Sequence, residues 1–158
     1  MRRSLLIFVV VLVIGVIAGV TMRTTVFVIS SGGQVDHRYL YKEDERFSVR
    51  WRHSVEKQEW EEMFRLKDET IQLTGTRFQT FGAGVPNDTG DRTFIKDGWV
   101  YMTGIDQNIG PSLSLRTGEK TNHRIQFGGR QLTLEANRAY KLSVVRQSWL
   151  SVIFEKLR

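Results

Sequence analysis

The sequence predicts an all-β domain behind one N-terminal apolar helix, with the domain built as an antiparallel β-sandwich or barrel of about eight to ten strands. Three observations predict it. Apolar and polar residues alternate with period two through much of the chain beyond residue 23. Asp-Gly and Gly-Gly pairs stand between such runs, where tight hairpins want them. The first 23 residues, by contrast, are an apolar run behind two arginines. No cysteine occurs in the 158 residues, which excludes disulfides, thiolate metal sites and cysteine nucleophiles.

In the first segment, Leu5–Val20 carries no charge. As a helix this stretch spans about 24 Å, and Ser4, Thr21 and Met22 bring it near the ~30 Å of a bilayer's hydrocarbon core. Arg2 and Arg3 are expected to stay in the cytoplasm, with the rest of the chain on the outer face of the cytoplasmic membrane. A cleaved secretory signal is the alternative, with Val16 and Ala18 before the cut. The length of the run and the lack of Ala-x-Ala favour an uncleaved, single-pass anchor; Arg-Arg at the start disfavours a buried core helix. The expected division is a signal anchor over 1–23 and an extracytoplasmic β domain over 24–158.

The net charge of +6 comes partly from Arg2, Arg3 and Arg23; without them 20 basic residues face 17 acidic ones, a balance of +3. Both signs are interleaved, so no concentrated basic patch speaks for a nucleic-acid partner.

The strands follow in order. Thr24–Ser30 is rich in β-branched residues and runs into a Ser-Gly-Gly-Gln turn. His37–Glu43 is a weaker strand. From Arg46, the residues Phe47, Val49, Trp51, His53 and Val55 share one face, with Ser48, Arg50, Arg52 and Ser54 on the other. Trp60, Glu62, Phe64 and Leu66 form the apolar face of the next strand. A two-residue turn at Lys57-Gln58 would set Val55 against Trp60, Trp51 against Phe64, Val49 against Leu66 and His53 against Glu62. That turn lacks Asn-Gly chemistry, and a two-residue slip would keep the faces while changing the partners. Ile71–Phe81 is a further strand. Thr93–Thr103 is a hairpin about Asp97-Gly98, pairing Ile95 with Val100 and Phe94 with Tyr101. His123–Glu135 turns at Gly128-Gly129, pairing Ile125 with Leu132 and His123 with Leu134. Tyr140–Val145 is the last strand. In the tail, Trp149, Leu150, Ile153, Phe154 and Leu157 fall at helical spacing, which suits a short amphipathic helix that caps the sheet core or rests on the membrane surface. A final strand is the other reading, since Leu150, Val152 and Phe154 also alternate.

His53 and Glu62 are the most informative pair. Each is costly to bury alone, so the economical arrangement is contact between them, as a core pair or as a ligand-facing pair lined by tryptophans. Glu56, Glu59, Glu61 and Glu62 are an acidic edge or oxygen ligands for a cation, without EF-hand spacing. Phe81–Asp91 holds Gly82, Gly84, Gly90, Asp88 and Asp91; it matches neither a Walker loop nor a dinucleotide fingerprint, but its backbone donors suit an anion. His37, His53 and His123 form no metal set by spacing. With no nucleophile beside a base, the chain is not expected to be an enzyme, and neither a cofactor nor a metal is expected.

"HSVEKQEWEEMF" (His53–Phe64) followed by "TRFQTFGAGVP" (Thr76–Pro86) resembles the bacterial domain-of-unknown-function family numbered 1850. The resemblance covers roughly Phe47–Tyr101 by motif. Matching positions are His53, Ser54, Val55, Glu56, Glu62, Phe64, Gly82, Gly84 and Pro86; Trp60 departs from the smaller or aliphatic residue expected there. Members are small exported or membrane-anchored proteins, often associated with TRAP transporters of the TAXI type. The resemblance therefore implies an accessory role by contact with the solute-binding protein or the membrane subunit, and supplies no catalytic residue. The candidate ligand or partner residues are His53, Ser54, Glu56, Glu62, Gly82, Gly84, Asp88 and Asp91. A free-standing binding module for a small anion or cation is the alternative function.

Overall fold

The computed structural model describes residues 2–80 and 89–156. In chain order these form α1 (Arg2–Thr21), β1 (Arg23–Ser31), β2 (Gln34–Leu40), β3 (Glu45–Arg52), β4 (Glu59–Lys67), β5 (Thr70–Phe78), β6 (Arg92–Lys96), β7 (Trp99–Gly110), β8 (Ser112–Arg116), β9 (Arg124–Phe127), β10 (Arg130–Thr133), β11 (Ala139–Ser148) and α2 (Trp149–Lys156). The predicted all-β class, the N-terminal helix and the short C-terminal helix are all present. The eleven strands exceed the expected eight to ten. The strand missed is β8, where Pro111 breaks the apolar periodicity just as the chain crosses from one sheet to the other.

The strands form two antiparallel sheets. One has four strands in the order β2-β1-β11-β8, the other seven in the order β10-β9-β3-β4-β5-β7-β6. Period two buries alternate residues of each sheet against the other. Phe27 and Ile29 of β1 with Leu142 and Val144 of β11 meet Phe47, Val49, Phe64, Leu66, Ile71 and Ile125 across the sandwich. Phe27 lies 4.8 Å from Phe47 and 5.1 Å from Phe127, ring to ring, and Phe47 stacks on Phe64 at 4.9 Å. A second, smaller cluster of Trp60, Phe78, Val100 and Met102 occupies the far part of the seven-stranded sheet.

Both glycine-tipped hairpins take the expected registers. Ile95 opposes Val100 and Phe94 opposes Tyr101; Ile125 opposes Leu132, and the Leu134 N–H donates to the His123 carbonyl at 2.9 Å. Gly128 and Gly129 take φ of 54° and 75°, the left-handed pair that such a turn requires.

The β3–β4 hairpin differs from expectation. Trp51 opposes Trp60, Val49 opposes Glu62 and Phe47 opposes Phe64, so each partner is displaced by four residues and His53 does not face Glu62. The faces of Phe47–Trp51 and Trp60–Leu66 survive because the displacement is even, but the strand ends at Arg52 and Val55, expected on the inner face, is 66% exposed. Lys57-Gln58 cannot make a two-residue turn cheaply, and a wider loop over 53–58 replaces it. There the His53 N–H donates to the Gln58 carbonyl at 2.7 Å and the Lys57 N–H to the His53 carbonyl at 3.0 Å. Lys57 alone takes the left-handed conformation in this loop, with φ of 57°. The wider loop also relieves the repulsion that a tight turn would force between Glu56 and Glu59.

α1 carries no buried residue. It is long and apolar enough to cross a membrane, with a mean hydropathy of 2.9 over its best window, as a membrane anchor or a signal sequence would be. Only Met22 separates it from β1. α2 does not cap the sheet core: Leu150 packs against Gly19 of α1, and the Trp149 N–H donates to the Met22 carbonyl at 3.1 Å.

Candidate functional site

On the inner face of the seven-stranded sheet, β3 and β4 build an aromatic row. Trp51 and Trp60 stack at 5.5 Å and 16°, Trp51 stacks on His123 at 5.8 Å, and Trp60 leans on Phe78 at 5.7 Å. The Trp60 indole N–H donates to Thr76 Oγ1 at 2.8 Å, and that hydroxyl donates to the Glu61 carbonyl at 3.2 Å. His53 stands at the end of the row, its ring 5.6 Å from that of Trp60. Its Nδ1 accepts the Glu56 N–H at 3.3 Å, so the imidazole closes its own loop.

Glu62 lies further along β4 on this face, between Val49 and Thr76 in the strand register. Its carboxyl has no hydrogen-bond or ion-pair partner among the described residues, and burial pushes its pKa up. His123 is buried at 9% exposure, with Nδ1 2.8 Å from Thr121 Oγ1, and burial pushes its pKa down. The crevice beside His53, Glu56 and Trp60 has a volume of only about 10 Å³, too small for a ligand.

The outer face of the same sheet is different. Glu59 receives Arg50 Nε at 2.6 Å and is also paired with Arg124; Glu61 receives Arg77 at 2.5 Å. Arg77 also donates to the Tyr101 hydroxyl at 2.8 Å. The guanidiniums of Arg50 and Arg77 lie 5.0 and 4.5 Å from the Trp99 ring centre. These carboxylates are thus neutralised by arginines rather than gathered around a cation, and no group of three or more His, Asp or Glu suited to a metal occurs among the described residues.

Beside this network lies an open groove of about 650 Å³, lined by Arg46, Ser48, Met63, Arg65, Asp91, Asp106 and Gln126 among others. Register shifts in β4–β5 and β5–β7 bend the sheet there. Gly104, at φ 75°, lets Asp91 press against the backbone; a Cβ at that position would lie 2.5 Å from Asp91 Oδ2. Arg65 is held by Gln72 at 2.8 Å and Asp106 at 3.2 Å. The Arg46 guanidinium and the Asp91 carboxylate have no partner among the described residues.

The candidate residues therefore separate. His53, Ser54 and Glu56 share the loop over 53–58, Glu62 sits on the inner face, and Asp91 lines the groove of the outer face. Gly82, Gly84 and Asp88 lie outside the described residues, as does most of the Phe81–Asp91 segment. Sequence reasoning passed over Arg46, Arg50, Arg77 and Trp99. Arginines alternating with glutamates on the polar faces of β3 and β4 were the available signal, and they read equally as a solvated surface.

The family described as Domain of unknown function (DUF1850) matches residues 47–134. The chain belongs to the DUF1850 family. The matched region begins in β3 and ends just after β10, so it contains the aromatic row, Glu62 and the groove lining except Arg46, while α1, β1, β2, β11 and α2 lie outside it. No curated protein and no solved structure matches the chain.

Proposed function

We propose that this DUF1850 protein is a membrane-anchored accessory domain that works by protein contact on the outer face of the cytoplasmic membrane, at a TRAP transporter of the TAXI type. The carrying observation is the outer face of the seven-stranded sheet. Trp99, Tyr101, Arg50 and Arg77 are locked together there beside an open groove. Trp, Tyr and Arg are the residues that dominate protein interfaces, and side chains already held in place lose little entropy on docking. The direct join of α1 to β1 supports the reading, because it leaves no slack between membrane and domain. Arg2 and Arg3 ahead of α1 favour a cytoplasmic N-terminus. The transporter assignment comes from the family resemblance in His53–Phe64 and Thr76–Pro86.

Affinity purification of the full-length chain from native membranes in mild detergent tests this. The expected result is recovery of the solute-binding protein or the membrane subunit, and loss of that recovery on Trp99→Ala with Arg77→Ala. Repeated absence of both subunits would overturn it.

The groove supports a second reading, a free-standing binding module for a small anion or cation, because Arg46 and Asp91 reach it with unspent charge. A ligand-induced rise in Tm that Asp91→Asn or Arg46→Ala abolishes is expected in that case; no rise across ion and metabolite panels removes this reading.

A further inference from the structure

We propose that α2 is an interfacial helix, seated with its apolar face in the lipid of the same leaflet that α1 leaves, so that the sandwich is held to the bilayer at two points. This rests on reading α1 as a membrane span.

The sequence Trp149-Leu150-Ser151-Val152-Ile153-Phe154 puts Trp149, Ile153, Leu150 and Phe154 within an arc of about 140° at 100° per residue. Sheet packing consumes little of that arc. Trp149, Ile153 and Phe154 are 39%, 52% and 65% exposed. Leu150 faces α1 instead: a Cβ on Gly19 would lie 3.0 Å from Leu150 Cγ, so the bare glycine backbone is what Leu150 packs against, and a larger residue would push it back by a few tenths of an ångström. The start of α2 is fixed independently. Ser148 caps it, accepting the Ser151 N–H at 3.3 Å on Oγ, while the Ser151 hydroxyl donates to the Ser148 carbonyl at 2.8 Å. The Trp149 N–H to Met22 bond and the Arg23–Ser148 pairing then tie that start to the point where α1 becomes β1.

Continuity with α1 decides what covers this face. α1 exposes Leu5, Leu6, Ile7, Phe8, Ile14 and Ile17 at between 56% and 66% and buries none of its residues. Its 20 residues correspond to about 30 Å, the thickness of the hydrocarbon layer. With α1 in that layer, its last turn lies at the boundary, and α2 begins beside that turn. An amphipathic helix with tryptophan at its start, at that depth, matches an interfacial segment. A protein partner would have to cover the face at a level already occupied by headgroups.

The chain has no cysteine, so single-cysteine nitroxide labels are straightforward. Ile153→Cys and Phe154→Cys are compared with Ile14→Cys in α1 and Ser114→Cys on exposed β8, in the full chain reconstituted into phosphatidylcholine–phosphatidylglycerol vesicles. Relaxation by oxygen and by a water-soluble nickel chelate gives depth. The expected oxygen-to-nickel ratio at 153 and 154 exceeds that at 114 by on the order of tenfold, and 14 lies deeper still. Nickel access at 153 and 154 equal to that at 114, with 14 buried, overturns the proposal and leaves the anchor intact. Protection of 153 and 154 from both reagents means that a second copy covers the face, which also overturns it. Nickel access at 14 removes the anchor reading itself, and this proposal with it.

Discussion

At Glu62 a carboxyl is held on an apolar face between Val49 and Thr76, and the Thr76 hydroxyl is already committed to Trp60 and to the Glu61 carbonyl. Its pKa is raised above 4.5 by burial. The folded state therefore holds this proton more tightly than the unfolded one, and stability falls as pH rises through the raised pKa. His123 opposes it. Its pKa is lowered from 6.5 by burial, so the unfolded chain takes up that proton first, and stability is lost as pH falls through about 6.5. In the native chain the two effects partly cancel on the acid side. Glu62→Gln is expected to raise Tm at pH 7 by about 2–4 °C, for a relief on the order of 1 kcal/mol. It should also steepen the loss of Tm below pH 6.5, because the histidine is then unopposed. Melting curves of both proteins between pH 4.5 and 8 check this; a Tm lowered at pH 7, with an unchanged acid slope, would show that the carboxylate has a stabilising partner.

The β3–β4 hairpin shows at the element scale what the sequence could and could not carry. Faces were legible: Phe47, Val49 and Trp51 turn inward as their alternation requires. Hairpins tipped by Asp97-Gly98 and Gly128-Gly129 were legible to the residue, because those pairs favour the two-residue turn with φ above zero at both positions. The β3–β4 register was not. Period two leaves every even displacement open, and Lys57-Gln58 carries no turn chemistry to choose among them. What chooses is a contact between side chains: opposing Trp51 to Trp60 lets two indoles stack and brings His123 onto the row. That contact was invisible to local reasoning, and so the expected His53–Glu62 site dissolved. A double-mutant cycle on Trp51→Ala and Trp60→Ala should give a coupling of about 0.5–1.5 kcal/mol in urea unfolding. Additivity within ~0.3 kcal/mol would mean that the indoles do not set the register.

Across the whole molecule, the two sheets have unequal tasks. The four-stranded sheet takes up the chain directly from α1 at Arg23 and returns it at Ser148 to α2, so it frames the join between the two helices and the sandwich. The seven-stranded sheet carries the aromatic row inside and the arginine–tryptophan face with its groove outside. The all-β class was legible because alternation repeats in most of the strands. The outer face was not, because its guanidiniums come from β3, β5 and β9 and meet only after the sheet forms. We propose that this outer face docks onto a TAXI-type transporter. The most direct measurement is photo-crosslinking in living cells, with a benzoylphenylalanine in place of Ser48 or Gln126 at the groove, and of Ser114 on the opposite sheet as control. Adducts to the solute-binding protein or the membrane subunit from positions 48 and 126, and none from 114, are the predicted result. Adducts from 114 alone, or none from any position in cells that express the transporter, would contradict it.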